Sequence, residues 1–128
     1  MKAPTALIAI SYFAYLGLCD SGTGATYPPP YRPNKCYGNR EDIFPGTNLF
    51  AAAGQGIWDN GGACGRIYEI LCNSPVEGSD GKCTGQTVRV RIVEGKLGYR
   101  AATLTLSQTA GAVVYTGKGR FNIQYHRL

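Results

Sequence analysis

Few side chains in this sequence are able to act as acids, bases or nucleophiles. Cleavage of a glycosidic bond usually needs two carboxyl groups, roughly 5–10 Å apart, on opposite sides of the bond. The single histidine, His126, lies close to the C-terminal end, and we expect it to be solvated rather than part of a Ser-His-Asp triad. Beyond residue 25 the acids are Glu41, Asp42, Asp59, Glu69, Glu77, Asp80 and Glu94.

Two of these acids occupy informative positions. Asp59 lies in the turn sequence Trp58-Asp59-Asn60-Gly61, where an aspartate commonly shapes the turn through its side chain. Glu94 precedes Gly95 at the predicted end of a strand and stands there as a lone acid. The acids by themselves therefore do not predict a hydrolase.

The five cysteines predict cross-links rather than catalysis or metal binding. Cys19 lies at the end of an apolar N-terminal segment, and the other four form an even set, which in a small secreted domain indicates two disulfides. Spacing alone leaves three pairings open. A zinc site would need C-x-x-C pairs or histidine partners, so we predict no metal and no cofactor. The four cysteines are Cys36, Cys64, Cys72 and Cys83.

The N-terminal segment has the pattern of a secretory signal peptide. A basic start is followed by the apolar run Ala6–Leu18, which is too short for a bilayer that needs about 20 apolar residues. We predict a signal peptide over residues 1–21, with cleavage after Ser21 or after Ala25, and a secreted, extracellular protein without a stable membrane anchor. Two alternatives are a buried N-terminal helix and a bacterial lipoprotein anchored through Cys19.

The charge pattern argues against a nucleic-acid partner. The chain of 128 residues carries a net charge of +5, but its lysines and arginines never form a block, whereas nucleic-acid-binding proteins concentrate positive charge. The balance fits weak attraction to an acidic extracellular surface and fits simple solubility equally well. The length allows one domain.

Short apolar runs broken by turn residues predict a compact β domain. Glycine occurs 18 times and proline seven times, and a long amphipathic helical pattern is absent. Ser107 is a good N-cap for a short helix over 108–114, although Gly111 weakens that helix. Alternating strands spread along the chain favour a small closed barrel. The predicted strands are Gly65–Cys72, Thr87–Val93, Ala102–Leu106 and Phe121–Tyr125.

Aromatic side chains are the best candidates for a binding surface, because exposed rings stack on sugars or anchor protein partners. Tyr27 and Tyr31 are fixed by the prolines between them, so we predict a surface contact for both. Trp58 fits the core and the surface equally well. The candidate binding residues are Tyr27, Tyr31, Tyr37, Trp58 and Asp59.

Several motifs, in their order and spacing, resemble one family: Cys36-Tyr37-Gly38-Asn39, Phe50-Ala51-Ala52-Ala53, Trp58-Asp59-Asn60-Gly61-Gly62-Ala63-Cys64-Gly65, Val90-Arg91-Ile92-Val93 and Leu106-Ser107-Gln108. They resemble the plant natriuretic peptides, also called EG45-like domain proteins, which are relatives of the first domain of expansins. The resemblance covers about residues 26–128 as one domain. It implies an all-β fold, a small six-stranded double-psi β-barrel with short helical turns, and the pairing Cys36–Cys64 and Cys72–Cys83.

Two departures from the family pattern bear on chemistry. Lys96 and Arg100 stand where relatives usually have two cysteines, so both partners of one disulfide are missing together. The run Leu104-Thr105-Leu106-Ser107 stands where expansins and related glycoside hydrolases have Phe-Asp-Leu-Ser. Since the hydroxyl of Thr105 cannot replace a carboxylate as proton donor or base, we predict that the protein is not an enzyme.

The resemblance implies a secreted signalling protein of the plant apoplast that affects ion and water homeostasis through a plant cell-surface receptor. Activity in the family is associated with the central part of the chain, here Pro33 to Ile67. Relatives also occur in plant-associated microbes as mimics of the host signal, so host mimicry is a further hypothesis. The alternative is a non-hydrolytic, expansin-like module that binds cell-wall polysaccharide. We expect a monomer.

Overall fold

Six strands, two short α-helices and one 3₁₀ turn follow one another along the chain that the computed structural model describes, residues 19–42 and 46–128. Residues 1–18 of the predicted signal peptide lie outside the described residues. The helices are α1 (Gln55–Trp58) and α2 (Gln108–Val114), with the 3₁₀ turn Asp59–Gly61 directly after α1. The strands are β1 (Asp20–Tyr27), β2 (Phe50–Ala53), β3 (Ile67–Pro75), β4 (Thr87–Gly95), β5 (Leu104–Ser107) and β6 (Phe121–Arg127).

The strands close into a barrel in the order β1-β5-β2-β4-β3-β6. β1 runs parallel to β5 and β2 runs parallel to β4, while the other neighbouring pairs are antiparallel. Parallel neighbours need a crossover connection, and neither parallel pair is consecutive in the chain. The predicted all-β, six-stranded double-psi barrel with short helical turns is thereby confirmed.

The barrel interior is filled from strands whose side chains alternate between the two faces. Val88, Val90 and Ile92 of β4 belong to the buried core, as their alternation predicts, and Leu104 and Leu106 join them from β5. The four predicted strands match β3 to β6 closely, because each of these strands carries its own apolar pattern.

β1 and β2 have no counterpart among the predicted strands. β1 is built mostly from small residues and lacks an apolar alternation. Packing explains part of this composition, because a Cβ at Gly24 would lie 2.5 Å from the ring of Phe121 on β6. Both predicted cleavage positions, after Ser21 and after Ala25, fall within this strand.

The helix α2 begins as predicted. The Ser107 hydroxyl accepts a hydrogen bond from the Ala110 backbone N–H at 3.1 Å. Gly111 costs the helix some intrinsic stability, but a Cβ there would overlap Cγ2 of Thr26 on β1. The glycine therefore allows the helix to pack closely against the barrel.

Two disulfides are present: Cys36–Cys64 joins the segment before β2 to the turn before β3, and Cys72–Cys83 joins β3 to the loop before β4. This is the pairing that the family resemblance implies, and it selects one of the three pairings that spacing left open. Cys36 lies beside β4, since its backbone N–H donates to the Val93 carbonyl at 3.3 Å. Among the described cysteines, Cys19 alone is free of a disulfide.

Candidate functional site

Four residues from four adjacent strands lie in register across the barrel. Glu94 of β4 pairs with Ala52 of β2. Ala52 also pairs with Thr105 of β5, which in turn pairs with Ala25 of β1. We call these four residues the cross-strand row. Three of them have short side chains, so the row presents little bulk and a single acid at its β4 end.

Thr105 stands where the family resemblance places an aspartate. Its neighbours Leu104 and Leu106 face the core, so Thr105 lies on the outer face of the barrel, where it is nevertheless only 5% exposed. Adjacent strands lie about 4.8 Å apart, so positions 94 and 105, two strands apart, are separated by about 10 Å. An acid at position 105 would complete a pair at the outer limit of the hydrolytic spacing, whereas the threonine leaves Glu94 without that partner.

Glu94 itself is used as a hydrogen-bond acceptor for the backbone. Its Oε1 accepts from the Lys35 backbone N–H at 2.8 Å and from the Gly95 backbone N–H at 2.9 Å. The carboxylate thus ties the segment before Cys36 to the end of β4. The side chain therefore has a structural role that the sequence does not reveal, and the absence of a catalytic partner stays a prediction.

Tyr27 and Tyr31 lie in contact, with ring centroids 4.9 Å apart in an edge-to-face arrangement. Tyr27 is only 8% exposed, so the predicted surface contact is wrong for its side chain, which is buried at the end of β1. Burial raises the pKa of its phenol well above the ordinary value, with smaller contributions from Glu94 and Tyr31. Tyr31 is half-buried; its hydroxyl donates to the Tyr27 carbonyl at 3.0 Å and accepts from the Gln108 N–H at 3.1 Å.

Tyr31 also lines a groove of about 420 Å³ on the surface, which we call the proline groove. Its wall includes Pro29 and Pro30, and its floor includes Phe50, whose ring lies edge-to-face with Tyr31 at 4.7 Å. Arg32 and Glu41 at this groove form an ion pair of 2.7 Å. The groove combines an aromatic ring with both signs of charge, which suits a ligand with polar and apolar faces.

Trp58 and Asp59 lie at the end of α1. Trp58 is half-buried and packs partly against the core, and its ring also lies against Gly95, where a Cβ would approach it to 2.9 Å. Asp59 forms an ion pair of 2.6 Å with Arg66, and this side-chain hydrogen bond raises the pKa of Arg66. The turn itself is closed by the backbone, since the Gly62 N–H donates to the Asp59 carbonyl at 2.8 Å. The Asp59 side chain instead bonds to Arg66, seven residues further along the same loop, and its role in shaping the turn stays a prediction.

Asp59 and Arg66 line a second groove, of about 430 Å³, which we call the polar groove. It lies beside α1 and includes Gln55 and Ile57, together with Asp20 from the start of β1. Asp59 is exposed while Arg66 is largely covered, so the outer rim of the ion pair is acidic. This groove is more polar than the proline groove, and its aromatic lining comes from Tyr68 and Tyr125.

Lys96 connects the two ends of the cross-strand row. It follows Gly95, on which Trp58 rests, and its ammonium lies over the ring of Tyr27 at 4.7 Å from the centroid. Tyr27 therefore contacts Lys96 directly, Tyr31 is linked to it through Tyr27, and Trp58 contacts the preceding residue, Gly95. Sequence reasoning missed Lys96 as a site residue because its contact partner lies far away in the chain and becomes adjacent only when the barrel closes.

Tyr37 and His126 make their contacts elsewhere, with Gly65 and Glu69 respectively. Tyr37 is half-buried, and its hydroxyl lies against Gly65, where a Cβ would approach it to 3.1 Å. The His126 side chain is only 12% exposed, and its Nε2 lies 3.6 Å from Oε1 of Glu69. The prediction of a solvated histidine is wrong, because β6 pairs His126 directly with Glu69 on β3.

The described part of the chain lacks two kinds of feature. Within residues 19–42 and 46–128, histidine, cysteine, aspartate and glutamate side chains do not cluster in a way that could hold a metal ion. Over the same residues, no helix combines the length and the apolar character needed to cross a membrane.

The sequence is related to plant proteins over nearly its whole length, although no protein-family model matches it. It is 32% identical over 124 residues to an EG45-like domain containing protein of Citrus jambhiri, which covers 95% of this chain and 89% of the relative. It is also 32% identical over 122 residues to putative EG45-like domain containing protein 1 of Arabidopsis thaliana, covering 94% and 91% respectively.

The fold is similar to solved expansins. The crystal structure of apo Clavibacter michiganensis expansin matches with a TM-score of 0.62 at 18% identity, and a point mutant of that expansin in complex with cellohexaose matches with a TM-score of 0.61 at 19% identity. Each match covers 86% of this chain but only 50% of the expansin, so this chain spans half the length of those proteins. The barrel is that of an expansin-related domain. At the level of sequence, the chain belongs to the EG45-like domain proteins.

Proposed function

We propose that this protein is a secreted signal of the plant natriuretic peptide type, which acts in the apoplast on ion and water homeostasis through a plant cell-surface receptor. The observation that carries the proposal is that the central segment, Pro33 to Ile67, contributes residues to both surface grooves. It supplies Glu41 and Phe50 to the proline groove, and Asp59 and Arg66 to the polar groove.

The central segment is also anchored near its two ends. Its ends are joined by the Cys36–Cys64 disulfide, and Glu94 fixes the backbone at Lys35. A segment whose ends are tied together loses less conformational entropy on binding than an open one, which suits recognition by a receptor. The charged side chains of Arg32 and Glu41 give such a surface specificity without a need for catalysis.

Thr105 supports a role in binding rather than in glycan cleavage. The position about 10 Å from Glu94 across the cross-strand row holds a hydroxyl instead of a carboxyl group. A hydroxyl with an ordinary pKa far above neutrality does not donate a proton to a leaving sugar oxygen at a useful rate. A binding function makes no such demand on this position.

A protoplast-volume assay with purified protein tests the signalling proposal. The variant Arg32→Glu/Glu41→Arg exchanges the two charges at the proline groove and preserves both the ion pair and the net charge. The control Glu77→Lys/Lys118→Glu makes an equivalent exchange between two exposed residues outside the central segment. We expect the first exchange to weaken the response and the control to retain it. Equal potency of both variants and the wild type would show that the charges at the proline groove do not contribute to receptor recognition.

A second candidate function is binding of cell-wall polysaccharide without hydrolysis. It is favoured by the half-buried rings of Trp58 and Tyr31, which lie near the two ends of the cross-strand row. One expansin of similar fold was crystallised in complex with cellohexaose, although this chain spans only half of it. A pull-down with insoluble cellulose and pectin at moderate salt separates the candidates: a wall-binding module is retained, and a mobile signal stays in solution.

A further inference from the structure

β1 closes the barrel by pairing with β6 along one of its edges and with β5 along the other. Five consecutive residues, Asp20 to Gly24, pair with β6, and four residues, Gly24 to Tyr27, pair with β5. The contact is reinforced outside the ladder, because the Thr23 N–H donates to Oγ1 of Thr103 at 3.0 Å and the Thr103 N–H donates to Oγ1 of Thr23 at 3.3 Å. The first residue of this strand, Asp20, is therefore already part of the closed fold.

Removal of residues up to Ala25 would open the barrel. It would delete all five pairs with β6 and two of the four pairs with β5. Phe121 and Ile123, which are at most 1% exposed, pair with Gly24 and Gly22 and would lose that cover. An open edge of this kind also invites association with other chains. Removal up to Ser21 is milder, but it would still delete two of the five β1–β6 pairs.

The sequence offers a cleavage position that leaves β1 complete. Signal peptidases favour small residues at the last position before the cut and two residues earlier. A cut after Cys19 satisfies this requirement with Cys19 and Gly17, whereas a cut after Leu18 places a large side chain at the last position. The cut would leave Asp20, the first residue of β1, as the new N-terminus.

Cysteine parity favours a cut at or beyond Cys19, so the cut after Cys19 is the earliest one that parity allows. Cys36, Cys64, Cys72 and Cys83 are all in disulfides, and Cys19 is the one described cysteine outside them. A chain that kept Cys19 would carry an odd thiol through an oxidising compartment, where it would be available for intermolecular pairing. A cut directly after Cys19 removes that thiol and leaves every remaining cysteine paired.

We propose that the leader is removed between Cys19 and Asp20, so that the mature chain begins with the first residue of the barrel and contains two disulfides and no free thiol. The proposal depends on the secretion that the proposed function also requires. It differs from a cut after Ser21 or Ala25 in that it preserves every β1–β6 pair.

Expression of the full-length chain in a eukaryotic secretory host tests the proposal, with N-terminal sequencing and intact-mass analysis of the secreted protein. We expect a chain that starts at Asp20 and, after denaturation, shows no reactive thiol. A secreted chain that starts at Cys19, Gly22 or Thr26 would overturn the cleavage site and leave the signalling proposal intact. Failure to enter the medium would count against both.

Precursor variants separate site recognition from folding. Cys19→Leu places a bulky side chain at the last position before the cut and is expected to abolish the Asp20-starting product. Leu18→Ala, at the intervening position, is the matched control and is expected to give the same product as the wild type. Unchanged processing of Cys19→Leu at Asp20 would contradict the proposal.

The contribution of β1 to stability is measured by truncation. Chains produced to start at Asp20, Gly22 and Thr26 are compared by thermal melting after oxidative refolding. We expect a cooperative transition for the first, a lower Tm for the second and loss of cooperative melting for the third. A chain starting at Thr26 that melts like the one starting at Asp20 would show that β1 is dispensable and would overturn the physical basis of the inference.

Discussion

The ammonium of Lys96 lies over the ring of Tyr27, 4.7 Å from its centroid. Lys96 follows the end of β4 and Tyr27 ends β1, and in the barrel these strands are separated by β5 and β2. Position 96 is also one of the two positions where the family resemblance places a cysteine. A side chain that would otherwise be committed to a local disulfide thus connects two strands that do not pair.

Replacement of Lys96 tests the strength of this connection. Because Lys96 is exposed, a cation–π contact there contributes about 0.5–1 kcal/mol. We expect Lys96→Gln to lower the free energy of unfolding by that amount in urea denaturation. Lys118→Gln, a change of the same charge at another exposed lysine, should lie within error of the wild type. Equal effects of both variants would show that net charge, and not the contact with Tyr27, is responsible.

The buried phenol of Tyr27 predicts a stability loss at alkaline pH. Burial raises its pKa in the folded state, so the unfolded chain releases the proton near its ordinary pKa of about 10 while the folded protein retains it. This contribution is fully present below pH 10 and decreases as the pH rises above it. The hydroxyl has no hydrogen-bond partner within the described residues, so Tyr27→Phe should leave stability at pH 7 unchanged or slightly higher.

The measurement for Tyr27 is the difference in unfolding free energy between the variant and the wild type at pH 7 and at pH 10.5 or higher. The difference is needed because burial also raises the pKa of Tyr115 and Tyr125. We expect the unfolding free energy of Tyr27→Phe to increase relative to that of the wild type as the pH rises. Tyr31→Phe is the contrasting control: it loses two hydrogen bonds and should be destabilised by about 1 kcal/mol at pH 7.

Two helical glycines predict opposite responses to the same substitution. A Cβ at Gly56 in α1 meets no atom within 4 Å, so Gly56→Ala should gain about 0.5–1 kcal/mol from helix propensity. A Cβ at Gly111 in α2 would overlap Thr26, so Gly111→Ala should lose roughly 1–3 kcal/mol despite the same gain. Chemical denaturation of both variants checks this; a stabilised Gly111→Ala would show that α2 is free to move away from β1.

The missing acid of the cross-strand row predicts a cost for restoring it. Thr105 is 5% exposed, so a carboxylate placed there must be desolvated. We expect Thr105→Asp to be less stable at pH 7 than the isosteric Thr105→Asn by about 1–3 kcal/mol, and the gap to shrink as the pH falls and the aspartate is protonated. A pH-independent gap would indicate that the new carboxylate has found a cation and remains charged.

The two disulfides predict a strong dependence on redox conditions. In the chain-entropy model, closure of loops with sequence separations of 28 and 11 contributes roughly 3–4 and 3 kcal/mol. These are large fractions of the roughly 5–15 kcal/mol typical of a domain. We expect the fully reduced chain to lose its cooperative thermal transition. A melting curve that is unchanged in strong reductant would contradict this expectation.

Much of the fold is predictable from the sequence, and the reasons are local. β4 is recognisable from the alternation of Val88, Val90 and Ile92, and Ser107 marks the start of α2. β1 is not recognisable, because the barrel requires glycine at position 24 beside Phe121, and small residues at the end of an apolar segment also fit a cleavage region. The small residues that packing requires in β1 therefore resemble, in the sequence, the small residues of a cleavage region.

The candidate site was less predictable, because its contacts join residues distant in sequence. The aromatic residues could be named from their positions near prolines and turns. The burial of Tyr27, the backbone role of Glu94 and the position of Lys96 follow only from barrel closure. The sequence singles out Thr105 because it replaces the aspartate of a family motif. The structure adds that Thr105 lies across Ala52 from Glu94, so the replaced acid is one that would have faced Glu94 along the cross-strand row.

The barrel is completed by pairing its first strand with its last, while all four bridged cysteines precede β4. When the reduced chain refolds under oxidising conditions, the thiols of Cys36, Cys64, Cys72 and Cys83 can therefore pair before β6 closes the barrel against β1. Pairing that precedes closure is not guided by a finished barrel, so we expect a disulfide isomerase to accelerate refolding of the reduced chain.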